Sequence, residues 1–321
     1  MEFFRNVNVD WLRLKWYFLG FSMIFSVAGI VSMSMHYARS GAIVPLGVDF
    51  RGGTQVQVQF QSTPDLGQIR NATSAAGIKD ASVATYDVPS NNEVLIGLPE
   101  QKVETSLDAG RQQIQDALRA RFGNAFTVRN VQVVGPTVGK QLEKQAGLAT
   151  LYSMLGMLVY LWFRFQLIYG VAAVVACFHD TLITVGAFAL TNQEISLTVI
   201  AAILTLVGYS MNDTIVVFDR IRENLRLSRR ESLPDVVNRS INQTLSRTVL
   251  TSGLTFLTVL SLYIFGGAVL RGFSFALVVG ILIGTYSSIA VAAPMLVAWQ
   301  EWRAKRGKGN TSLPAAKRAR V

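Results

Sequence analysis

Six long apolar stretches constrain this chain more than any other feature in it. A helix crossing a bilayer core needs about 20 predominantly apolar residues. Inside hydrocarbon, every backbone N–H and C=O must be satisfied within the helix itself. Residues 16–35 form the first such run, bounded by Lys15 on one side and by His36 and Arg39 on the other. Residues 145–163 carry no charge, and Arg164 separates them from 167–190, which contains Asp180. The run 195–218 contains Asp213, and 248–269 and 272–299 follow, split by Gly266, Gly267 and Arg271. The sequence therefore predicts a polytopic α-helical membrane protein with six transmembrane helices: one alone, a long gap, then a five-helix bundle over 145–299. A signal peptide also pairs a basic flank with an apolar run. The first run is longer than a usual signal core and no small-residue cleavage site follows Met35, so it reads as an uncleaved anchor.

Only 16% of the residues are charged, against about a quarter in ordinary soluble domains. Cys177 is the single cysteine, which excludes a disulfide scaffold or a multi-thiolate metal site. His36 and His179 leave little for a histidine-based metal centre. No metal, cofactor or catalytic residue is expected, and nothing resembles a nucleophile with its base, so the chain does not read as an enzyme.

The net charge of +10 could mark a nucleic-acid partner, but its distribution says otherwise. The segment 300–321 holds seven bases against Glu301, and the loop 219–247 holds seven arginines against four acids. Arg164 lies in the short loop on that same side, while the opposite turns hold only Glu194 and Arg271. The positive-inside rule then places residues 1–15, the loop and the tail in the cytoplasm. The tail has no aromatic interleaving, so no nucleic acid is expected, and its basic cluster suits anionic membrane lipid.

The segment 36–144 must lie outside, and it is nearly neutral, with eleven bases and ten acids. Residues 55–60 read Q-V-Q-V-Q-F, the strict alternation of a strand with one wet face. Pro64 and Asp65 are placed to start a helix over 64–76. Strands are expected at 82–88 and 93–98 around Pro89-Ser90-Asn91-Asn92, then a helix over 107–122 and a strand over 126–134. The order β-α-β-β-α-β is that of a ferredoxin-like α+β domain.

Several short motifs carry two readings. Gly135-Pro136-Thr137-Val138-Gly139-Lys140 fails as a phosphate loop, since three residues separate the glycines and Gln141 follows the lysine. It reads as a turn into the second span. Asp49, Arg51, Gly52 and Gly53 stand between the first span and the first strand, either as a hinge or as a partner contact. Asp213 lies in an otherwise uncharged span, and such carboxylates usually face a bundle interior or water and mark ion pathways. Tyr209 and Ser210 share its helix face. Thr244, Thr248, Thr251, Thr255 and Thr258 recur at spacings of 4, 3, 4 and 3, a hydroxyl stripe on the helix that Arg247 enters. Either Arg247 snorkels and the threonines pack, or Arg247 partners Asp213 and the stripe lines water. Asp180, next to His179, is either part of the proton path or half of a buried pair fixing the bundle. Residues 219–224 read as a helix end with internal ion pairs, and Gly280, Gly284 and Ser288 as a ridge of small residues for helix packing.

These residues resemble the SecD/SecF family of bacterial protein-export membrane proteins, in its SecF-type branch. The resemblance covers about residues 11–299. Its anchors are Gly47-Val48-Asp49-Phe50-Arg51-Gly52-Gly53-Thr54, Val134-Gly135-Pro136-Thr137-Val138-Gly139, Gly208-Tyr209-Ser210-Met211-Asn212-Asp213-Thr214, Gln243-Thr244-Leu245-Ser246-Arg247-Thr248 and Phe265-Gly266-Gly267. Gln141 precedes Leu142 where the family often carries an acid. The resemblance implies a multi-pass subunit of the bacterial inner membrane, in the proton-coupled resistance-nodulation-division superfamily. Acting with SecD, the SecYEG channel and a YajC-like accessory, it would promote late movement of a translocating polypeptide using the proton-motive force. It implies roles in proton passage for Asp213 and Arg247. The alternatives are a structural scaffold of the translocon without proton flux, or a small-molecule proton antiporter of the same superfamily.

Overall fold

The computed structural model describes residues 8–78, 81–86, 91–99, 109–165, 167–228 and 231–306. Among them, six helices are long and apolar enough to cross a membrane. α1 spans Lys15–Ser40 and ends at Gly41, whose φ of 73° only glycine adopts freely. After one short helix, α2 (Val48–Arg51), the chain enters a small α+β domain. That domain runs β1 (Gly53–Phe60), α3 (Leu66–Ala75), β2 (Ser82–Tyr86), β3 (Glu93–Pro99), α4 (Ala109–Phe122) and β4 (Phe126–Val134). The βαββαβ order expected from the sequence is the order found.

The domain's sheet is antiparallel, ordered β2-β3-β1-β4. β1 alternates along its whole length: Thr54, Val56, Val58 and Phe60 are buried, and Gln55, Gln57 and Gln59 are half-buried. Its apolar face packs with Ile69 of α3, Ile114 and Leu118 of α4, and Val94 and Ile96 of β3. The first helix starts at Leu66 rather than at Pro64, because Asp65 is its cap and accepts the Gly67 N–H at 2.8 Å. Residues 87–90 and 107–108, which complete the expected second strand, turn and second helix, lie outside the described residues. So do Lys308, Lys317, Arg318 and Arg320 of the basic tail.

The remaining helices form the bundle: α5 (Pro136–Arg164), α6 (Leu167–Thr191), α7 (Leu197–Leu227), α8 (Leu233–Phe265), α9 (Gly267–Ser287), a π-helical turn at Ser288–Ala292, and α10 (Ala293–Lys305). α6, α7 and the α9–α10 span form its interior, and α1, α5 and α8 flank them. The helices outrun the apolar stretches. Residues 135–140, expected as a turn, are the cap and first turn of α5, with Pro136 at its start where a missing N–H costs nothing. The loop 219–247 is helical over 219–227 and 233–247, and the Ser232 hydroxyl caps α8 by accepting the Asp235 N–H. Bilayer thickness limits the apolar run, whereas the helix continues until a cap or breaker stops it. α8 ends at Phe265, and Gly266 and Gly267 make the turn into the last span.

Two contacts fix the flanks. α1 lies on α6 where glycine meets glycine: a Cβ on Gly186 would stand 2.8 Å from the Gly29 Cα. At the other side of the bundle the N-terminal segment straps α8. Asn242 accepts from Val9 N–H and Trp11 Nε1 and donates to the Val9 carbonyl, and Asn238 accepts the Leu12 N–H and donates to Asp10. Asp219 lies within ion-pair distance of Arg164 and Arg222, and Arg220 pairs with Glu223 at 2.7 Å.

Gly186→Val is expected to force α1 from α6 and lower the thermal midpoint in detergent, at an overpacking cost of about 1–3 kcal/mol. Gly156→Ala in α5, where a Cβ meets open space, is the control and should hold or raise the midpoint, since Ala favours a helix interior over Gly. The strap makes a pH prediction. The Asn238 amide, with the Arg13 N–H, holds the Asp10 carboxyl below its usual value. The carboxylate's contribution is thus complete above the usual carboxylate pKa and lost as pH falls through the lowered one. Protection of the Val9 and Leu12 amides from hydrogen exchange, taken relative to the intrinsic rate at each pH, should fall only as pH drops below the usual carboxylate range.

Candidate functional site: two buried carboxylates in the bundle

α7 presents Ser210, Asp213 and Thr214 to the bundle interior, each almost wholly buried. Their spacing of three and four residues puts them on one face. Asp213 is 2% exposed, and its Oδ2 accepts from the Ser252 hydroxyl of α8 at 2.6 Å. Asp180, on α6, is 1% exposed. Its Oδ2 accepts from Ser210 at 2.5 Å and from Ser287 at 2.8 Å, and its Oδ1 faces His179 Nδ1 at 3.0 Å. The Ser288 and Thr214 hydroxyls meet at 3.1 Å. Two carboxylates on adjacent helices therefore share α7 between them, one turn apart through Ser210 and Asp213. A buried carboxylate is tolerated only where its water is replaced by bonding partners, and here α6, α7, α8 and the end of α9 supply them.

Glycines set this distance. A Cβ on Gly284 would approach the Ser210 side chain to 3.0 Å, and one on Gly280 would strike Leu206 at 2.3 Å. The small-residue ridge read from the sequence thus lets the last span lie directly on α7. The π-turn follows at once, and its extra residue re-aims the segment that carries Ser287 and Ser288.

The other candidates divide. Tyr209 does not reach either carboxylate; its hydroxyl donates to the Thr251 carbonyl at 3.3 Å and ties α7 to α8. Arg247 is exposed on α8 and makes no ion pair within 4 Å of Asp213 among the described residues, though its charge still acts on that carboxylate. Asp213 takes Ser252 instead. The threonine stripe splits. Thr244 and Thr248 are buried, while Thr251, Thr255 and Thr258 lie toward the outer surface and bond carbonyls of their own helix. The Thr248 hydroxyl is buried with no hydrogen-bond partner among the described residues. Ser252, Ser287 and Thr214 were not singled out from the sequence. Serine and threonine are common in membrane helices, and only the fold shows which ones face a carboxylate. Among the described residues no three of His, Cys, Asp and Glu stand together as metal ligands would.

The glycine pair lies at the junction of domain and bundle. Gly52 and Gly53 have φ of 75° and 129°. Arg51 is exposed, and Phe50 is buried in the bundle beside Phe188, Ile195 and Val199. Asp49 Oδ2 accepts the Leu197 N–H at the start of α7, at 2.9 Å.

Ser252→Ala should remove a donor from a buried carboxylate and destabilise the protein by about 1–3 kcal/mol. Thr248→Val replaces an unpartnered hydroxyl with a methyl of the same shape and should be neutral or stabilising. Thermal unfolding in detergent compares the two, and a larger loss for Thr248→Val would contradict this hydrogen-bond assignment.

Residues 113–302 match the family described as protein export membrane protein SecD/SecF, C-terminal, and residues 44–64 match the SecD/SecF GG motif. The protein translocase subunit SecF of Koribacter versatilis is 55% identical over 99% of this chain and 98% of its own. The protein translocase subunit SecDF of Brucella abortus is 40% identical over 90% of this chain, which spans 37% of that longer protein. Among solved structures, SecDF from Thermus thermophilus, described as a translocon-associated membrane protein, superposes with a TM-score of 0.79 at 36% identity, covering 92% of this chain and 39% of that one. Six apolar spans, a βαββαβ insert after the first of them and these matches along nearly the whole length agree: the chain belongs to the SecD/SecF family of protein export membrane proteins, as a SecF-type translocase subunit.

Proposed function

We propose that this subunit works with a SecD-type partner to draw on the proton-motive force during late movement of a polypeptide through the SecYEG channel of a bacterial inner membrane. In this reading the termini and the 219–247 segment are cytoplasmic, by their arginine excess, and the α+β domain meets the translocating chain outside. The observation that carries it is Asp213: a carboxylate 2% exposed in the middle of a membrane-spanning helix, held by one serine of the next helix. Moving one charge through the membrane field is worth about 2.3 kcal/mol per 100 mV. That is enough to shift a two-packing equilibrium modestly.

Arg247 supports the partner. A guanidinium on the outer surface of a spanning helix is costly against lipid, so a second protein or water covers that face of α8. The relative and the solved structure named SecDF are both more than twice as long as the part this chain matches. A SecD-type partner seated against Arg247 and Thr251 would bring the arginine into a shared proton path. A YajC-like accessory and anionic lipid at the basic tail complete the assembly we propose. Asp180, with three neighbours bonded to it, favours a second reading in which the cluster only fixes the bundle and the subunit is a scaffold without proton flux.

Asp213→Asn decides between them. With SecD and the channel in proton-tight vesicles, the variant should keep ATP-driven export and lose its stimulation by the proton-motive force. Stimulation equal to wild type would sink the proton reading and leave the scaffold.

A further inference from the structure

α7 does not cap its own N-terminus. Ser196 holds the cap position, yet its hydroxyl bonds Thr198 Oγ1 at 2.8 Å and makes no bond to a first-turn amide. The Leu197 N–H is met by Asp49 of α2. The first amides of a helix lack partners within it, and its positive end attracts an anion. Asp49 serves that end from a segment far away in the chain. Its other oxygen, Oδ1, accepts from the Gln132 side chain of β4 at 3.2 Å. One carboxylate thus holds the start of α7 and the sheet of the α+β domain together.

The surroundings make this carboxylate a latch. On one side α2 is fixed to the bundle. Gly47 N–H donates to the Ile195 carbonyl at 2.9 Å, and Ile195 N–H donates to the Pro45 carbonyl at 2.8 Å. Gly139 of α5 lies so close that a Cβ there would be 2.6 Å from the Phe50 carbonyl. On the other side, Gly52 and Gly53, both at positive φ, separate α2 from β1. The chain enters the sheet at that pair and leaves it at Gly135, Gly53 is paired with Val134 across the two strands, and β2 also rests against α9. The two connections therefore lie side by side, and the domain pivots there only as far as its β2 contact with α9 yields. The Asp49–Gln132 bond crosses this junction beside the glycines. From Leu197 to Asp213 the chain is one unbroken helix, about 24 Å at 1.5 Å per residue. A tilt or shift of α7 at Asp213 is delivered to Asp49 by a stiff rod.

Resting on the proton reading above, we infer that Asp49 is a positioning residue that couples the orientation of the α+β domain to the helix carrying Asp213. Such coupling is reciprocal: what moves the domain also biases α7.

The test uses the full chain with SecD and the channel in proton-tight vesicles, and reads stimulation of late export by the proton-motive force. Asp49→Ala is expected to reduce that stimulation at least about fivefold, the lower end of ordinary coupling between two sites. Adding Ser196→Asp supplies a cap from within α7, since Asp serves as well as Ser at that position. The double variant should regain wild-type thermal stability and remain uncoupled. If its stimulation recovers, Asp49 is a cap and nothing more, and the inference falls. Should Asp49→Ala fail to fold, Gln132→Ala keeps the bond to Leu197 and cuts only the link to the sheet. It is expected to show the same loss, and wild-type stimulation there overturns the inference. Spin labels at positions 130 and 192 keep this result separate from the proton reading. Their distance distribution should broaden in Asp49→Ala whatever Asp213→Asn shows, and an unchanged distribution overturns the inference.

Discussion

Asp180 and Asp213 are buried where the bundle crosses hydrocarbon, and the architecture around them follows from their need for donors. Water that would solvate a carboxylate is excluded there, and each oxygen left bare would cost several kcal/mol. Hydroxyls from three helices meet that need: Ser210 of α7, Ser252 of α8 and Ser287 at the end of α9. Glycines at 280 and 284 bring the last span close enough for those short side chains to reach. Small residues, hydroxyls and acids are therefore one arrangement rather than three separate features of the sequence.

The same constraint separates the roles of the two acids. Asp180 is bonded on both oxygens within this chain, between a histidine and two serines. Asp213 is bonded by Ser252 and by the adjacent Asn212 side chain, with Arg247 acting on it from α8, and it lies on the side of α7 that faces α8. On α8 an exposed arginine and the outward threonines 251 and 258 lie among exposed leucines of the same helix. An intramembrane acid near an exposed arginine suits a site that is completed by a partner, whereas a fully bonded acid suits the fixed part of a bundle.

The small domain is attached with equal economy. β1 and β4, the two strands that lead into and out of it, are neighbours in the sheet, so the two covalent connections lie together, and β2 adds a contact with α9. α2 does not belong to the domain's core; its Phe50 is buried with the bundle. The motif Asp49-Phe50-Arg51-Gly52-Gly53 thus joins bundle and sheet in five residues, with Phe50 buried in the bundle and Gly53 already paired in β1.

Much of this was legible in the sequence. The six spans could be read because hydrocarbon demands continuous apolar length, and the βαββαβ order because β1 alternates so cleanly. The importance of Asp213 was legible from its cost in an apolar span. Helix ends were less so: α5 begins at Pro136 and α7 runs to Leu227, since helices extend past the bilayer wherever no breaker intervenes. The threonine stripe was a true pattern on one helix, but a pattern on one helix does not say what faces it. The fold turned Thr244 and Thr248 inward and left Thr251 and Thr258 outside. By itself, the sequence determined the class of protein, the number of spans and which charges had to matter, because each rests on the local chemistry of residues in an apolar medium. Only the tertiary structure decided that Asp213 binds Ser252, that Asp180 binds Ser210 and Ser287, and that Asp49 caps α7. Those pairings join residues 30 to 148 positions apart, and packing rather than local pattern brings them together.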